Sequence, residues 1–372
     1  MSSKQEIAFI KHGDFSSINA KVLGILNRNF PDAHIEIIDI FSDLLSKKDV
    51  SNLYYCLKEY GIDILLGKRS VSTATYLRTP YIVDKIKKAI PEKLTNKHYT
   101  FTFQTQSLFD ASIPGIPHFV YTDHTHLASL QYPAYNPHDL PCKELIKLER
   151  QVYQNATANF TMSSNISKSM IEDYSCSPEK VSCVYCGANI QVQEDESFTE
   201  DRYFHKNILF VGKDWERKGG PLLAEAFKTV LNHHSDATLT VVGCTPDLNL
   251  PNCNVVGEIS LPNVKEYFKQ ASIFCLPTKI EPFGIVFLEA MACKLPIVAS
   301  NIGAIPEFII EDENGYMVEP NNSQQLARRI IDLISSPEKC KAFGEYGYEL
   351  FWNRYTWEKT GLRIRKNIEQ FL

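Results

Sequence analysis

The chain has 372 residues, of which 44% are hydrophobic and 22% charged, and its formal net charge at pH 7 is −5. This composition is typical of a soluble globular protein with room for two domains of ordinary size, and it excludes a disordered chain. The small negative charge gives no reason to expect nucleic acid as a partner.

The N-terminus and the cysteines favour a cytoplasmic protein without a structural metal. The opening residues, MSSKQEIAFIKHG, contain four apolar residues in a row, too few for a secretion signal or a membrane-spanning helix. Ten cysteines are scattered along the chain, and the close pair Cys183 and Cys186 has no second CxxC or His pair nearby. We therefore expect reduced thiols rather than disulfides or a zinc site.

In the first half of the chain, short runs rich in β-branched and aromatic residues alternate with longer amphipathic stretches. Such alternation is typical of βαβ units and a parallel sheet. The predicted strands are IAFI, AHIEIIDI, DILLG, HYTFTF, HFVYT, ANFTMSS and KVSCVYC.

Residues 189–207 are polar and acidic and show neither the apolar period of a helix nor that of a strand. We therefore predict an interdomain linker there. The alternation then restarts. The predicted strands are NILFVGK, ATLTVVG, CNVVG, SIFCLPT and LPIVAS, and the predicted helices are GPLLAEAFKTVLNHH, VKEYFKQA, IVFLEAMAC and SQQLARRIIDLISS. This pattern predicts an α/β protein with two similar domains that face each other. Ligands bind beyond the carboxyl ends of such strands, so we expect the site in the interdomain cleft.

The stretch EPFGIVFLEAMACKLPIVAS, residues 281–300, places one glutamate in a turn and a second one inside an apolar helix. A helix beginning near Gly284 offers unpaired N–H groups at Gly284, Ile285 and Val286, which suit a phosphate or a sugar hydroxyl. Glu281 and Glu289 then lie along one elongated ligand. The alternative is a loop charge and a solvated helix residue.

A second cluster follows the first strand of the second half, in ILFVGKDWERKGGPLLAEAF, residues 208–227. Lys213, Arg217 and Lys218 converge at that strand's carboxyl end in the predicted fold, where cations neutralise a diphosphate. The alternative is a solvated charged loop before an ordinary Gly-Pro helix start.

These motifs resemble the retaining family 4 glycosyltransferases, which have the GT-B architecture of two facing Rossmann-like domains. The resemblance runs from ILFVGKDWERKGG through the 281–300 stretch and ENGYMVEPNN to YTWEK. It implies that residues 1–195 form the acceptor-binding domain and residues 206–355 the nucleotide-sugar-binding domain. A C-terminal helix in residues 356–372 would pack back on the first domain.

The resemblance also implies roles for single residues. Glu281 would contact the donor sugar, Glu289 the ribose, and Lys213 and Lys218 the diphosphate, although Lys213 stands where the family often has Arg. The backbone that would contact the sugar and the diphosphate belongs to Phe283, Gly284, Ile285 and Val286.

The first half resembles the family more loosely. His124, in HFVYTDHTHLASL, matches the histidine that lies beside the transferred sugar, with His126 as its rival and a turn histidine bonded to the backbone as the alternative. Gly13, in FIKHGDFSS, stands in the first strand-to-helix loop, where the family usually has a glycine pair near the diphosphate.

The implied reaction moves a sugar, expected to be a hexose, from a nucleotide-diphospho-sugar such as a UDP or GDP sugar to an acceptor hydroxyl with retained configuration. The chain has no Asp-x-Asp, so we expect protein cations rather than a metal to stabilise the leaving diphosphate, and no further cofactor. A nucleotide-sugar 2-epimerase or hydrolase of the same architecture and a catalytically idle sugar-nucleotide-binding subunit are the alternatives. The sequence leaves open the donor, the acceptor (glycan, lipid or small molecule), the linkage and the oligomeric state.

Residues 68–97 form a basic segment in the predicted acceptor domain. Its cationic residues are Lys68, Arg69, Arg78, Lys85, Lys87, Lys88, Lys93 and Lys97, against Asp84 and Glu92. Basic residues near an anionic membrane contribute about 1 kcal/mol each. The segment fits a peripheral membrane contact, and the alternative is a solvated helix face.

Overall fold

The structure is a computed structural model that describes residues 5–13, 17–43, 50–69, 73–94, 97–194 and 196–372. The chain forms two compact units. The first contains the residues up to Gln131, Tyr135–Tyr185 and Thr360–Leu372, and the second contains Tyr132–Ala134 and Cys186–Lys359.

The first unit contains a six-stranded parallel sheet in the order β2-β1-β3-β4-β5-β6. Its strands are β1 (Glu6–Lys11), β2 (His34–Asp39), β3 (Phe101–Thr105), β4 (His118–Thr122), β5 (Ala158–Thr161) and β6 (Val181–Cys183). Its helices are α1 (Ile18–Asn29), α2 (Ile40–Asp43), α3 (Val50–Leu65), α4 (Thr73–Leu77), α5 (Pro80–Leu94), α6 (Lys143–Asn155) and α7 (Ser164–Glu172). Every residue of β3, β4 and β5 is buried, as in parallel sheets covered on both faces.

The second unit repeats this plan with the strand order β12-β11-β10-β7-β8-β9, again all parallel. Its strands are β7 (Asn207–Val211), β8 (Thr238–Val242), β9 (Cys253–Gly257), β10 (Ile273–Leu276), β11 (Ile297–Ser300) and β12 (Gly315–Val318). Its helices are α8 (Gly220–His233), α9 (Leu261–Gln270), α10 (Ile285–Ala292), α11 (Ser323–Ile334) and α12 (Pro337–Arg354). A last helix, α13 (Trp357–Ile368), begins in the second unit and continues in the first.

The predicted α/β class with two parallel sheets is confirmed, but one strand was predicted wrongly and one was missed. DILLG, predicted as a strand, lies at the end of α3, because a short apolar run does not by itself distinguish a strand from the end of a helix. Strand β12 was not predicted, although it pairs with β11 from Gly315 to Val318. Gly315, the first residue of β12, obscures the pattern by which a strand is recognised in a sequence.

The two units divide at Tyr185 and Cys186 rather than within the polar segment 189–207. Most of that segment is held in the second unit by charged side chains. The guanidinium of Arg202 is fully buried and donates to the carbonyls of Cys293 (2.8 Å) and Lys294 (2.9 Å). A buried arginine must be paired in this way, so it fixes the chain just before β7.

Residues 360–372 belong to the first unit. Arg363 donates to the carbonyl of Val184 at 3.3 Å, and Ser182 donates to the side chain of Asn367 at 2.9 Å. In the part of the chain that the structure describes, no helix is both long and apolar enough to cross a membrane.

Candidate functional site

The loops that follow β7 and β10 meet in the second unit. These strands are parallel neighbours, so their carboxyl ends lie side by side. The ammonium of Lys218, from the first loop, forms an ion pair with the carboxylate of Glu281, from the second. Their side chains are only 12% and 7% exposed, so water screens the pair weakly.

Backbone contacts join the same two loops. The carbonyl of Arg217 accepts hydrogen bonds from Lys279 N–H (2.8 Å) and from Thr278 Oγ1 (3.3 Å), and its guanidinium donates to the carbonyl of Ile280 (2.8 Å). Gly219 has φ 78°, and a Cβ there would lie 1.8 Å from the carbonyl oxygen of Pro277. Glycine is therefore required at this position for the loops to approach.

Helix α10 begins after the turn that Glu281, Pro282, Phe283 and Gly284 form. Gly284 precedes it with φ 98°, and a Cβ there would lie 2.6 Å from the ring of Phe287. No side chain caps this helix in the described structure, so the N–H groups of its first turn, at Ile285 and Val286, suit an anion. The ring of Phe283 is buried against Phe308, with ring centroids 5.7 Å apart, so its backbone is the part suited to a ligand.

Glu289 lies one turn into α10 and is buried, among apolar residues that are also buried. Glu281 is buried as well. Neither carboxylate is therefore a solvated surface group, and the ligand roles of both residues stay predictions.

The three predicted cations have different carboxylate partners. Lys213 is 81% exposed, and its ammonium lies 3.6 Å from the carboxylate of Glu258. Arg217 lies 3.5 Å from Asp214. Among the three, Lys218 is the one whose described contacts include Glu281.

Tyr132 was missed by the sequence analysis. It is buried, groups with the second unit and donates its hydroxyl to the carbonyl of Glu281 at 2.8 Å. Gly303 lies against both, because a Cβ there would be 2.9 Å from the tyrosine hydroxyl and from the same carbonyl. The tyrosine and the glutamate are 149 residues apart, and no local sequence pattern indicates such a contact.

Gly13, in the first unit, has φ 61° and already uses its backbone groups. Its N–H donates to Asp39 Oδ1 at 3.1 Å, and its carbonyl accepts from Asn19 at 2.7 Å. A phosphate would have to displace a carboxylate from this N–H. The prediction of a diphosphate contact at Gly13 therefore gains no support from its hydrogen bonds.

His124 and His126 lie in one loop of the first unit but differ in their surroundings. His124 Nε2 lies 2.8 Å from Ser129 Oγ, while its Nδ1 is buried without a hydrogen-bond partner. Burial and the neighbouring His126 lower the pKa of His124 to about 4. The ring of His124 is therefore neutral near pH 7.

The ring of His126 is instead held by a buried carboxylate. His126 Nδ1 lies 2.9 Å from Glu149 Oε2, and the His126 N–H donates to Glu149 Oε1 at 3.2 Å. Tyr153 and Tyr174 also donate to this carboxylate, and Tyr174 accepts from Leu127 N–H. Burial raises the pKa of Glu149, but His126 and these hydrogen bonds outweigh it and hold the pKa below its ordinary value. This network fixes the loop at His126 and Leu127.

In the described part of the chain, no three His, Cys, Asp or Glu side chains are grouped so as to hold a metal ion. All ten cysteines are free thiols.

Comparison with known proteins identifies the second unit. Residues 193–350 match the family model described as glycosyl transferases group 1. An uncharacterized glycosyltransferase of Methanocaldococcus jannaschii is 30% identical over 197 residues, which are 50% of this chain and 53% of that protein. The chain spans about half the length of this relative, and 62% of the length of the spore coat protein SA of Bacillus subtilis, to which it is 26% identical.

The whole chain resembles solved structures in fold. Sucrose-phosphate synthase from Thermosynechococcus elongatus aligns over 99% of both chains with a TM-score of 0.72 and 16% identity. At this identity the likeness shows the two-domain GT-B fold alone. The second unit therefore carries a domain similar to the group 1 glycosyl transferases, and the whole chain has the GT-B fold.

Proposed function

We propose that the protein transfers a glycosyl group, a hexose in our assignment, from a nucleotide-diphospho-sugar to an acceptor hydroxyl with retention of configuration. The observation that carries this proposal is the buried pair of Lys218 and Glu281 beside the uncapped start of α10. The pair brings together a cation for a leaving phosphate and a carboxylate for a sugar hydroxyl.

In the proposed complex, the diphosphate lies at the start of α10. The N–H groups of Gly284, Ile285 and Val286 and the ammonium of Lys218 contact its oxygens. Glu289 lies four residues beyond Ile285, about 6 Å along the helix, and accepts hydrogen bonds from two ribose hydroxyls. A protein of Anabaena with 15% identity and a TM-score of 0.67 over 98% of this chain was solved with UDP and glucose, which supports a nucleotide-sugar donor.

The reaction breaks the bond between the anomeric carbon and a diphosphate oxygen and forms a bond from that carbon to the acceptor oxygen. The acceptor attacks from the face that the diphosphate leaves, and its proton passes to a diphosphate oxygen. Negative charge grows on the diphosphate while the ring becomes positive. Lys218 and the α10 N–H groups stabilise that charge most strongly in the transition state, as catalysis requires.

We assign supporting roles to two residues. Glu281 is released from part of its pairing when Lys218 meets the diphosphate, and it then accepts hydrogen bonds from the sugar hydroxyls. His124, neutral near pH 7, contacts the transferred sugar. Lys213 contacts the diphosphate only by leaving Glu258, so we assign it the smaller share of the phosphate binding.

A two-stage experiment tests the proposal. Thermal shift with UDP, GDP, ADP and their sugars identifies the donor, because a ligand that binds the native state raises its melting temperature. The donor is then incubated with glycan, lipid and small-molecule acceptors, and NMR of the product reports its anomeric configuration. A retained anomer on an acceptor supports the proposal. Epimerised or hydrolysed donor without acceptor, or binding without turnover of any acceptor, contradicts it.

A further inference from the structure

Helix α3 turns an apolar face to solvent. Leu53, Tyr54, Leu57, Ile62 and Leu65 are all more than half exposed, and Leu65 reaches 87%. At 3.6 residues per turn these side chains fall within about half of the helix circumference. The one charged residue in that half is Lys58. A soluble helix normally shows the reverse pattern.

The other face of α3 is fixed to its neighbours. Asn52 donates to the carbonyl of Tyr76 at 2.6 Å, and Cys56 Sγ lies 3.5 Å from the carbonyl of Thr75. Tyr55 stacks on Tyr81 of α5, with ring centroids 4.6 Å apart. The helix therefore cannot bury its apolar face by rotating without losing these contacts.

The segment of sequence that contains α3 and α5 is basic, in a chain whose net charge is −5. Residues 50–97 contain nine Lys and Arg against four Asp and Glu, a net charge of +5. Lys87, Lys88 and Lys97 are paired with Asp110, Asp84 and Glu36, and Arg69 is buried. Exposed lysines outside these ion pairs include Lys58 on α3 itself and, elsewhere in the same segment of sequence, Lys68 and Lys93. Residues 70–72, 95 and 96 of the basic segment lie outside the described structure.

We propose that α3 lies on the surface of a membrane that contains anionic lipids. The apolar side chains would enter the boundary between headgroups and acyl chains, while the neighbouring lysines attract the lipid phosphates. At 16 residues, or about 24 Å, α3 fits a helix in the plane of the membrane. This proposal moves the principal contact from the basic segment 68–97 to α3, with that segment supplying charge.

A second copy of the chain is the less favourable occupant. An isologous dimer through this face would bring two segments of charge +5 together, and like charges facing each other are costly. An anionic lipid surface satisfies both the apolar residues and the excess lysines. An exposed apolar patch of this kind marks an interaction site.

Vesicle co-sedimentation tests the proposal without any sugar donor, so its outcome is independent of the proposed reaction. We expect the protein to bind vesicles with about a third phosphatidylglycerol at about 0.1 M salt, and to bind pure phosphatidylcholine vesicles far more weakly. Leu57→Glu with Leu65→Glu should lower the partition coefficient at least about tenfold. Leu362→Glu, at a position that is 54% exposed on α13, is the matched control and should leave binding unchanged.

A second measurement covers the case in which the double variant folds poorly. Leu65→Trp places a reporter at an exposed position, and its fluorescence, after subtraction of the wild-type signal, should shift to the blue when anionic vesicles are added. Unchanged partition of the folded double variant, or no blue shift, overturns the proposal. A wild-type dimer that the double variant dissociates would mean that a second copy covers α3, and it would overturn the proposal as well.

Discussion

The ammonium of Lys218 and the carboxylate of Glu281 are paired although 63 residues separate them in the chain. The pair is largely buried, so removing one partner leaves the other without compensation. In the proposed reaction the same ammonium stabilises the leaving diphosphate. The two residues therefore act as a unit in the free protein, and in the proposed reaction Lys218 exchanges part of this pairing for the diphosphate.

We expect Lys218→Ala to lower kcat by about 10² to 10³, because it removes a charged donor that acts in the transition state. Lys218→Arg should keep part of the activity, since it retains the charge with a different geometry. EDTA should have little effect. Steady-state kinetics of the three proteins with and without chelator checks this prediction. Full activity of the alanine variant, or loss with EDTA that Mg²⁺ or Mn²⁺ reverses, would contradict the metal-free account.

Glu289→Ala should weaken donor binding, whereas Glu281→Ala should chiefly lower kcat. The first change removes the proposed ribose acceptor, and the second removes the group beside the reacting sugar. Isothermal titration with the nucleoside diphosphate alone separates the two effects from turnover. Equal and small losses of kcat/KM in both variants would show that the two carboxylates are assigned wrongly.

Gly284→Ala should raise the KM for the donor. The residue has φ 98°, and an added Cβ would lie 2.6 Å from the ring of Phe287, so the strain of about 1–2 kcal/mol displaces the start of α10. Gly24→Ala is the matched control. It lies inside α1 with no atom within 4 Å of the added Cβ, so it should stabilise the fold by about 0.5–1 kcal/mol and leave KM unchanged. Identical kinetics of the two variants would argue against a ligand at this turn.

The stability of the protein should fall as the pH drops from about 6.5 to about 4. Burial lowers the pKa of His118 and of His124 to about 4, from an ordinary value of 6.5. Between these values the unfolded chain binds protons that the native chain does not, so each group lowers the free energy of unfolding by up to about 1.4 kcal/mol per pH unit. Urea unfolding at several pH values measures the slope. His124→Asn should flatten it, and an unchanged slope would contradict the low pKa of His124.

Glu149→Ala should destabilise the protein by about 3–5 kcal/mol, since it removes a buried acceptor from His126, Tyr153 and Tyr174. Glu149→Gln keeps one acceptor oxygen and should cost less. Because the network holds the loop of His124, both variants should also change turnover more than nucleotide binding. Equal stability of the alanine variant and the wild type would show that the loop does not depend on this carboxylate.

The class of fold could be predicted because parallel strands and their helices leave periodic patterns in the sequence. The strand SIFCLPT and the helix IVFLEAMAC appear as β10 and α10, within two residues at each end. DILLG was predicted wrongly because its apolar run continues the helical pattern of α3. Whether a segment forms a strand or a helix is predicted from its local sequence. That prediction fails where an apolar run is too short to show a period.

The candidate site could be predicted only in part. The proximity of Lys218 and Glu281 follows from two neighbouring strand ends and could be anticipated from topology. The orientation of Lys213 toward Glu258 could not, since a long side chain selects its partner in three dimensions. The contact of Tyr132 with the carbonyl of Glu281 depends on the folded backbone and has no counterpart in local sequence.

The backbone contact between the two loops has a mechanical consequence. Gly219 touches Pro277 with no space for a side chain, and Arg217 holds the N–H of Lys279. A displacement of either loop is therefore transmitted directly to the other, and with it to the first turn of α10. If one loop were replaced by the corresponding loop of a relative, its backbone would no longer fit against the other loop. If the proposed donor site is right, a change of donor preference requires that the two loops be replaced together.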